Sequence, residues 1–165
     1  MKYMIILGID PGTTRIGYAV IEKKDADNLN LLTYGCLEPK NKQQKDRLGE
    51  ISSLISDLIL KYHPEVLAIE KIFFTKNAKT VISVSEARGV IINSANSLNL
   101  QIFDFTPLEV KFAITGYGRA EKEQVKQMVC RILKIEKKPI LDDTSDALAI
   151  ALTACYTSPK LFINK

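Results

Sequence analysis

Residues Tyr3 to Ile9 read YMIILGI, an apolar run rich in β-branched side chains with no polar member to turn toward water. A strand of this kind is buried on both faces, so the chain must lay other structure over both sides of one sheet. The segments that follow supply the rest of that sheet. Pro11-Gly12 turns the chain, and Arg15 to Ile21 alternates loosely as a second strand. Asp25 to Asn28 is a polar turn, and Leu29 to Leu37 reads as a third strand. Strands joined by such short turns are expected to pair antiparallel.

The apolar period then changes. Leu48, Ile51, Leu54, Ile55, Leu58 and Ile59 recur at helical spacing, which predicts an amphipathic helix over about 44–62. His63-Pro64 ends it, because the residue before proline avoids the helical region. Val66 to Ile69 is a short apolar strand that stops at Glu70. Ala78 to Leu98 reads as a long helix that contains Gly89, and Gln101 to Phe105 as a fifth strand. Thr106-Pro107-Leu108-Glu109 has capping-box spacing with proline at the first helical position. Glu121 to Leu133 and Ser145 to Tyr156 complete the helices. The expected fold class is therefore α/β, a mixed sheet with helices on its faces. The chain has 165 residues, which suits a single domain over 1–158 with a frayed tail over 159–165.

Charge and cysteine content narrow the partners. The net charge is +4, but between Lys111 and Lys138 eight basic residues face three glutamates, a local excess of +5. A basic surface of that kind suits an acidic partner. Cys36, Cys130 and Cys155 are scattered without a CxxC, and His63 is the sole histidine, which argues against a zinc site. Unpaired thiols suit a reducing compartment. No apolar run approaches the ~18 residues of a membrane span, and no signal-peptide pattern opens the chain, so a cytoplasmic protein without membrane contact is expected.

The acids carry the chemistry. Asp10 falls at the C-terminal end of the first strand and Glu70 at that of a later one. Ligands of open α/β sheets bind beyond such strand ends. If the two strands are neighbours, both carboxylates enter one crevice. Asp142, Asp143 and Asp146 open the last helix. Either Asp142 or Asp143 shares a face with Asp146, and spacing alone does not choose between them. Asp142 is the better candidate for the helix cap. Asp146 precedes the apolar run ALAIAL, and a charge buried there needs a partner or a metal. Clustered carboxylates repel one another, and oxygen ligands without histidine or cysteine select Mg²⁺ or Mn²⁺. Four acids suit two ions ~3.5–4 Å apart, one to activate water and one to stabilise the leaving oxygen of a phosphodiester.

The motifs LGIDPGTTRIGYAV, LAIEKIFF with SEARGV following, TPLEVKFAITGYGRAEKEQV and DDTSDALAIAL, in this order, resemble the RuvC-type crossover junction endodeoxyribonucleases, the bacterial Holliday junction resolvases. The likeness covers residues 4–157. It implies a ribonuclease H-like fold, a homodimer acting on four-way DNA junctions with Mg²⁺, and supply of junctions by a branch-migration motor complex. Its four catalytic and metal-binding acids fall on Asp10, Glu70, Asp143 and Asp146, which favours Asp143 over Asp142. It places a branch-point stacking phenylalanine at Phe73, with Phe74 turned inward. Lys111 and Lys122 fall on basic residues near the scissile phosphate. Lys76, Lys79, Arg88 and Arg119 are further candidate DNA contacts. Thr144 and Ser145 stand where the family usually has small apolar residues.

The opening GIDPGTT also resembles the first phosphate loop of actin-like ATPases, sugar kinases and heat-shock chaperones. Those enclose a nucleotide between two such domains, whereas this chain has room for one, and an ATPase leaves Glu70, Asp143 and Asp146 unexplained. A junction-binding module without cleavage would leave all four acids unexplained. A ribonuclease H-like nuclease acting on a hybrid would use the same metal chemistry.

Overall fold

The computed structural model describes residues 3–25, 28–72, 78–136 and 140–157, with Ala78 and Lys79 described by backbone alone. Five strands form one sheet: β1 (Met4–Asp10), β2 (Ile16–Lys23), β3 (Leu29–Leu37), β4 (Val66–Glu70) and β5 (Gln101–Phe105). Their order is β3-β2-β1-β4-β5. The first three form the expected antiparallel meander, while β4 and β5 add in parallel on the other side of β1. The sheet is thus the mixed five-stranded, helix-flanked α/β arrangement expected of a ribonuclease H-like chain.

Two helical layers cover it. Helices α1 (Gln44–Tyr62) and α2 (Ala78–Ser97) take one face, where Ile51, Ile55, Ile59, Ala87, Ile91 and Ala95 meet Leu7, Ile9, Leu67 and Ile69. Helices α3 (Pro107–Thr115), α4 (Lys122–Ile132) and α5 (Asp142–Thr157) take the other, against Ile6, Ala19, Ile21, Val66 and Ala68. The alternation along β1 and β4 accounts for both cores at once, since successive strand residues point to opposite faces. That same alternation assigns Asp10 and Glu70, two residues beyond Gly8 and Ala68, to the α5 side.

Local signals set most helix ends. Thr106 accepts from Glu109 N–H at 3.1 Å while the Glu109 carboxylate accepts from Thr106 N–H at 2.7 Å, the reciprocal box expected before α3. His63 ends α1 in the left-handed region (φ 49°) with its N–H on Ile59 O at 2.8 Å, a helix-end residue as expected. Helix α2 runs through Gly89 as the expected long helix, with open space where a Cβ would stand there. Two sequence expectations about α5 need correction. Helix α5 begins at Asp142 rather than Ser145, its first backbone bond running from Ser145 N–H to Leu141 O at 2.9 Å. Asp142 therefore sits inside the first turn and does not cap it; acids are favoured there by the unpaired N–H groups of the helix end.

Helix α5 is buried nearly all round, from Thr144 through Cys155 apart from Asp146. It lies directly on β1 and β2. Two glycines permit this approach. A Cβ on Gly8 would stand 2.6 Å from Ala147 O and from Ala151 Cβ, and one on Gly17 would stand 1.8 Å from Asp143 O. A glycine within a strand marks such a close approach.

Candidate active site

The strand ends, the α5 N-terminus and one edge of α3 and α4 meet at a single cleft. β1 and β4 are adjacent and parallel, with Ile9 opposite Ile69, so Asp10 and Glu70 leave the sheet side by side. Gly17, which pairs with Asp10 across β1 and β2, supports the Asp143 backbone. One helical turn farther on, Asp146 faces the same place. Glu70, Lys111, Lys122, Val125, Asp146 and Ile150 line a cleft of about 210 Å³.

The acids act on one another. Burial, then the charges of Asp146, Glu70 and Asp143, push the Asp10 carboxyl up to about 8, against an opposing pull from Lys122. Glu70 is raised by burial and by Asp146, again opposed by Lys122. Burial raises Asp146 too, although Lys122 offsets part of it. The helix pattern places Asp146 as a buried charge; its side chain instead keeps 38% of its surface and pairs with Lys122. Lys122 Nζ lies 2.9 Å from Asp146 Oδ2 and 3.6 Å from Asp142 Oδ2. Burial alone would lower the Lys122 ammonium, but bonding to Asp146 and Asp142 outweighs it and its pKa ends above the usual value. Asp142 is mostly exposed and turns away, to Lys122 and to Lys126 at 3.6 Å.

A group of carboxylates this close cannot all ionise without positive charge between them. One lysine meets only part of that need. The donors are oxygen alone, which fits a hard divalent cation. Among the described residues no trio of acidic, histidine or cysteine side chains is already gathered as a ready-made metal cage.

The remaining candidates divide. Lys111 joins Lys122 in the cleft wall, while Arg119 lies exposed on the loop before α4. Arg88, expected among the DNA contacts, turns inward: its Nε donates to Glu70 O at 3.0 Å and its Nη2 pairs with Asp104. It braces the end of β4 and has little of its guanidinium left for a phosphate. Phe73, Phe74 and Lys76, and the Lys79 side chain, lie outside the described residues.

Sequence reasoning missed three parts of this site. Gly17 escaped notice, although a glycine inside an apolar strand is a legible sign of close packing. The Arg88–Asp104 brace joins α2 to β5 across 16 residues and leaves no local signature. Lys126, counted only as surface charge, donates to Ile140 O at 2.7 Å and holds down the segment that leads into α5.

Residues 6–154 match the family described as crossover junction endodeoxyribonuclease RuvC. A protein of that name from Caldicellulosiruptor saccharolyticus is 45% identical over 163 residues, covering 98% of each chain. Another from Petrotoga mobilis is 47% identical over 149 residues, 90% of this chain and 91% of the relative. Among solved structures, Thermus thermophilus RuvC in complex with Holliday junction substrate is similar with a TM-score of 0.87 and 32% identity, covering 94% of both chains. The yeast mitochondrial Holliday junction resolvase Ydc2 shares the fold, at 13% identity and a TM-score of 0.66. With nearly its whole length matched at such identity, and its fold superposing on a solved member, the chain belongs to the crossover junction endodeoxyribonuclease RuvC family.

Proposed function

We propose that this protein resolves four-way DNA junctions by hydrolysing one phosphodiester in each of two opposing strands, leaving 5′-phosphate and 3′-hydroxyl ends. The observation that carries this reading is a cleft in which Glu70 and Asp146 stand beside Lys111 and Lys122, with Asp10 close enough to feel the charges of Glu70, Asp143 and Asp146, in a chain similar to a protein solved with a Holliday junction.

In this mechanism Asp10, Glu70, Asp143 and Asp146 would hold two Mg²⁺ ions, for which Mn²⁺ would substitute. When bound, the ions supply an activated water and stabilise the departing oxygen. Asp10 and Glu70, at the ends of adjacent strands, form the rigid side of the site. Asp143 and Asp146 close it from α5, whose seat on Gly8 and Gly17 sets their depth. Lys122 pairs with Asp146 and lines the cleft, where its ammonium would meet the scissile phosphate. Lys111 meets the same phosphate from α3, and Arg119 contacts the backbone farther out. Arg88 positions Glu70 through the β4 carbonyl. Phe73 stacks at the opened branch point, with Lys76 and Lys79 on neighbouring phosphates.

Residues 1–158 work as one nuclease domain. Two copies act about a two-fold axis, which matches the symmetry of the junction and yields paired cuts. A branch-migration motor delivers the junction. The setting is the cytoplasm, which suits three cysteines that form no disulfide. Among the described residues no helix is long and apolar enough to cross a membrane.

The test is cleavage of a synthetic mobile four-way junction by wild type and Asp10→Asn, in Mg²⁺ and in EDTA. Symmetric paired nicks from wild type in Mg²⁺ alone, with Asp10→Asn still binding, are the expected result. Tight junction binding without nicks in Mg²⁺ or Mn²⁺, across several junction sequences, overturns it.

A further inference from the structure

Helix α3 presents two different edges to two different neighbours. Val110 and Ile114 are buried against the α5 side of the sheet. Leu108 and Phe112, four residues apart and so on one face, remain 62% and 61% exposed, and Tyr117 just beyond the helix is 60% exposed. Large apolar side chains grouped on a surface mark a contact site more often than chance exposure does.

Leu108 and Phe112 share one exposed face of α3, and the Tyr117 loop follows directly on its C-terminal end. Gly118 packs on Leu108, since a Cβ there would stand 3.1 Å from Leu108 Cγ, and this holds the Tyr117 loop against the helix. Gly116 caps α3 in the left-handed region (φ 74°), its N–H on Phe112 O at 2.8 Å. Tyr117 N–H donates to Thr115 Oγ1 at 3.1 Å, and Ala120 N–H donates to Tyr117 O at 3.1 Å. The loop carrying the second ring is therefore pinned at both ends.

This surface is continuous with the cleft. On the helical wheel Lys111 falls between the buried edge and the Leu108–Phe112 edge, and its side chain lines the cleft with Glu70, Lys122 and Asp146. Arg119 follows Tyr117 by two residues and is exposed. The nearest acid on the helix, Glu109, has its carboxylate held by Thr106 N–H at 2.7 Å. Rigid rings flanked by lysine and arginine at the rim of a phosphate-binding cleft match the surface that takes unpaired bases: cations track the backbone and rings take the base faces.

We infer that Leu108, Phe112 and Tyr117 form a stacking platform for bases freed beside the cut strand, a second aromatic contact separate from Phe73 and specific for opened DNA. This rests on the nuclease reading above. A continuous duplex offers no free base face, so the platform adds affinity for a junction and little for paired DNA.

The experiment measures binding of a mobile four-way junction and of a duplex of matched sequence, in EDTA, by wild type, Phe112→Ala, Tyr117→Ala and the double variant. Each ring is expected to carry about 5- to 150-fold in junction affinity. Duplex affinity and the salt slope of junction binding stay unchanged, because no charge is removed. The Phe112→Tyr and Tyr117→Phe variants keep the rings and retain affinity. A junction carrying 5-iodouracil beside the cut site is expected to crosslink to residues 107–119 of wild type. Unchanged junction affinity in the double variant overturns the platform, as does equal loss on junction and duplex, crosslinking only elsewhere, or a change in oligomeric state that accounts for the loss. Failure of wild type itself to bind or cut junctions would instead sink the nuclease reading.

Discussion

The two faces of the sheet are built for different purposes. On the α1/α2 face, large branched side chains such as Ile51, Ile55 and Ile91 fill the space between helix and strand, and no glycine is needed there. On the α5 face, the helix presents Ala147, Ala149, Ala151 and Ala154 and lies almost on the backbone of β1 and β2 at Gly8 and Gly17. Bulky packing buries more apolar surface per residue. Small-residue packing gives up some of that area for a fixed and close approach. The face that carries Asp10, Glu70 and the acidic start of α5 is the one that uses the second solution.

Several changes would break or sharpen that contrast. The largest effect is expected from Asp10→Asn, which lowers cleavage by about 10²–10⁴-fold, the scale of losing a positioned acid–base or metal-holding group. The same change should raise the stability of the metal-free protein. Asp10 has a folded pKa of about 8 against 3.8 when free, so between those values the folded state binds more protons and stability falls as pH rises. In EDTA the wild-type melting temperature should drop between pH 5 and pH 8, and Asp10→Asn should drop less. Equal slopes for the two proteins would show that Asp10 carries no such burden.

Ile55→Ala on the opposite face should cost about 2–5 kcal/mol of stability, since that side chain is fully buried, yet leave single-turnover cleavage of the surviving folded protein near wild type. Gly17→Ala should do the reverse in proportion. Overpacking of this kind costs about 1–3 kcal/mol, but the new Cβ must displace the Asp143 backbone, so cleavage should fall more than the melting temperature suggests. If Gly17→Ala loses stability and keeps its activity, the α5 seat does not set the site. The smallest effect belongs to Gly49→Ala, on the solvent side of α1 with open space at the Cβ. It should stabilise by about 0.5–1 kcal/mol and leave cleavage unchanged, as read by chemical denaturation.

Much of this molecule is local in origin and was legible in the chain. The hairpin turns before Ile16 and Leu29, the period change near Gln44, the stop at His63-Pro64 and the Thr106 capping box all depend on residues within a few positions of one another. Each appears in the structure within a residue or two of where the sequence places it. Asp10 and Glu70 were legible for the same reason, because each ends an apolar strand.

What the chain alone left open depended on distant contacts. Spacing allowed Asp142 or Asp143 to join Asp146, and the turn of α5 about its own axis decides which one looks into the crevice. That turn is set where Asp143 O rests on Gly17, a residue more than a hundred positions earlier. Asp142 is left facing Lys122 and Lys126. The start of α5 and the inward turn of Arg88 likewise follow from what packs beside them. Sequence by itself determined the elements, because hydrogen bonding and alternation act over neighbouring residues. Tertiary structure decided which charges meet, because a helix can present any of its faces until a sheet is there to choose one.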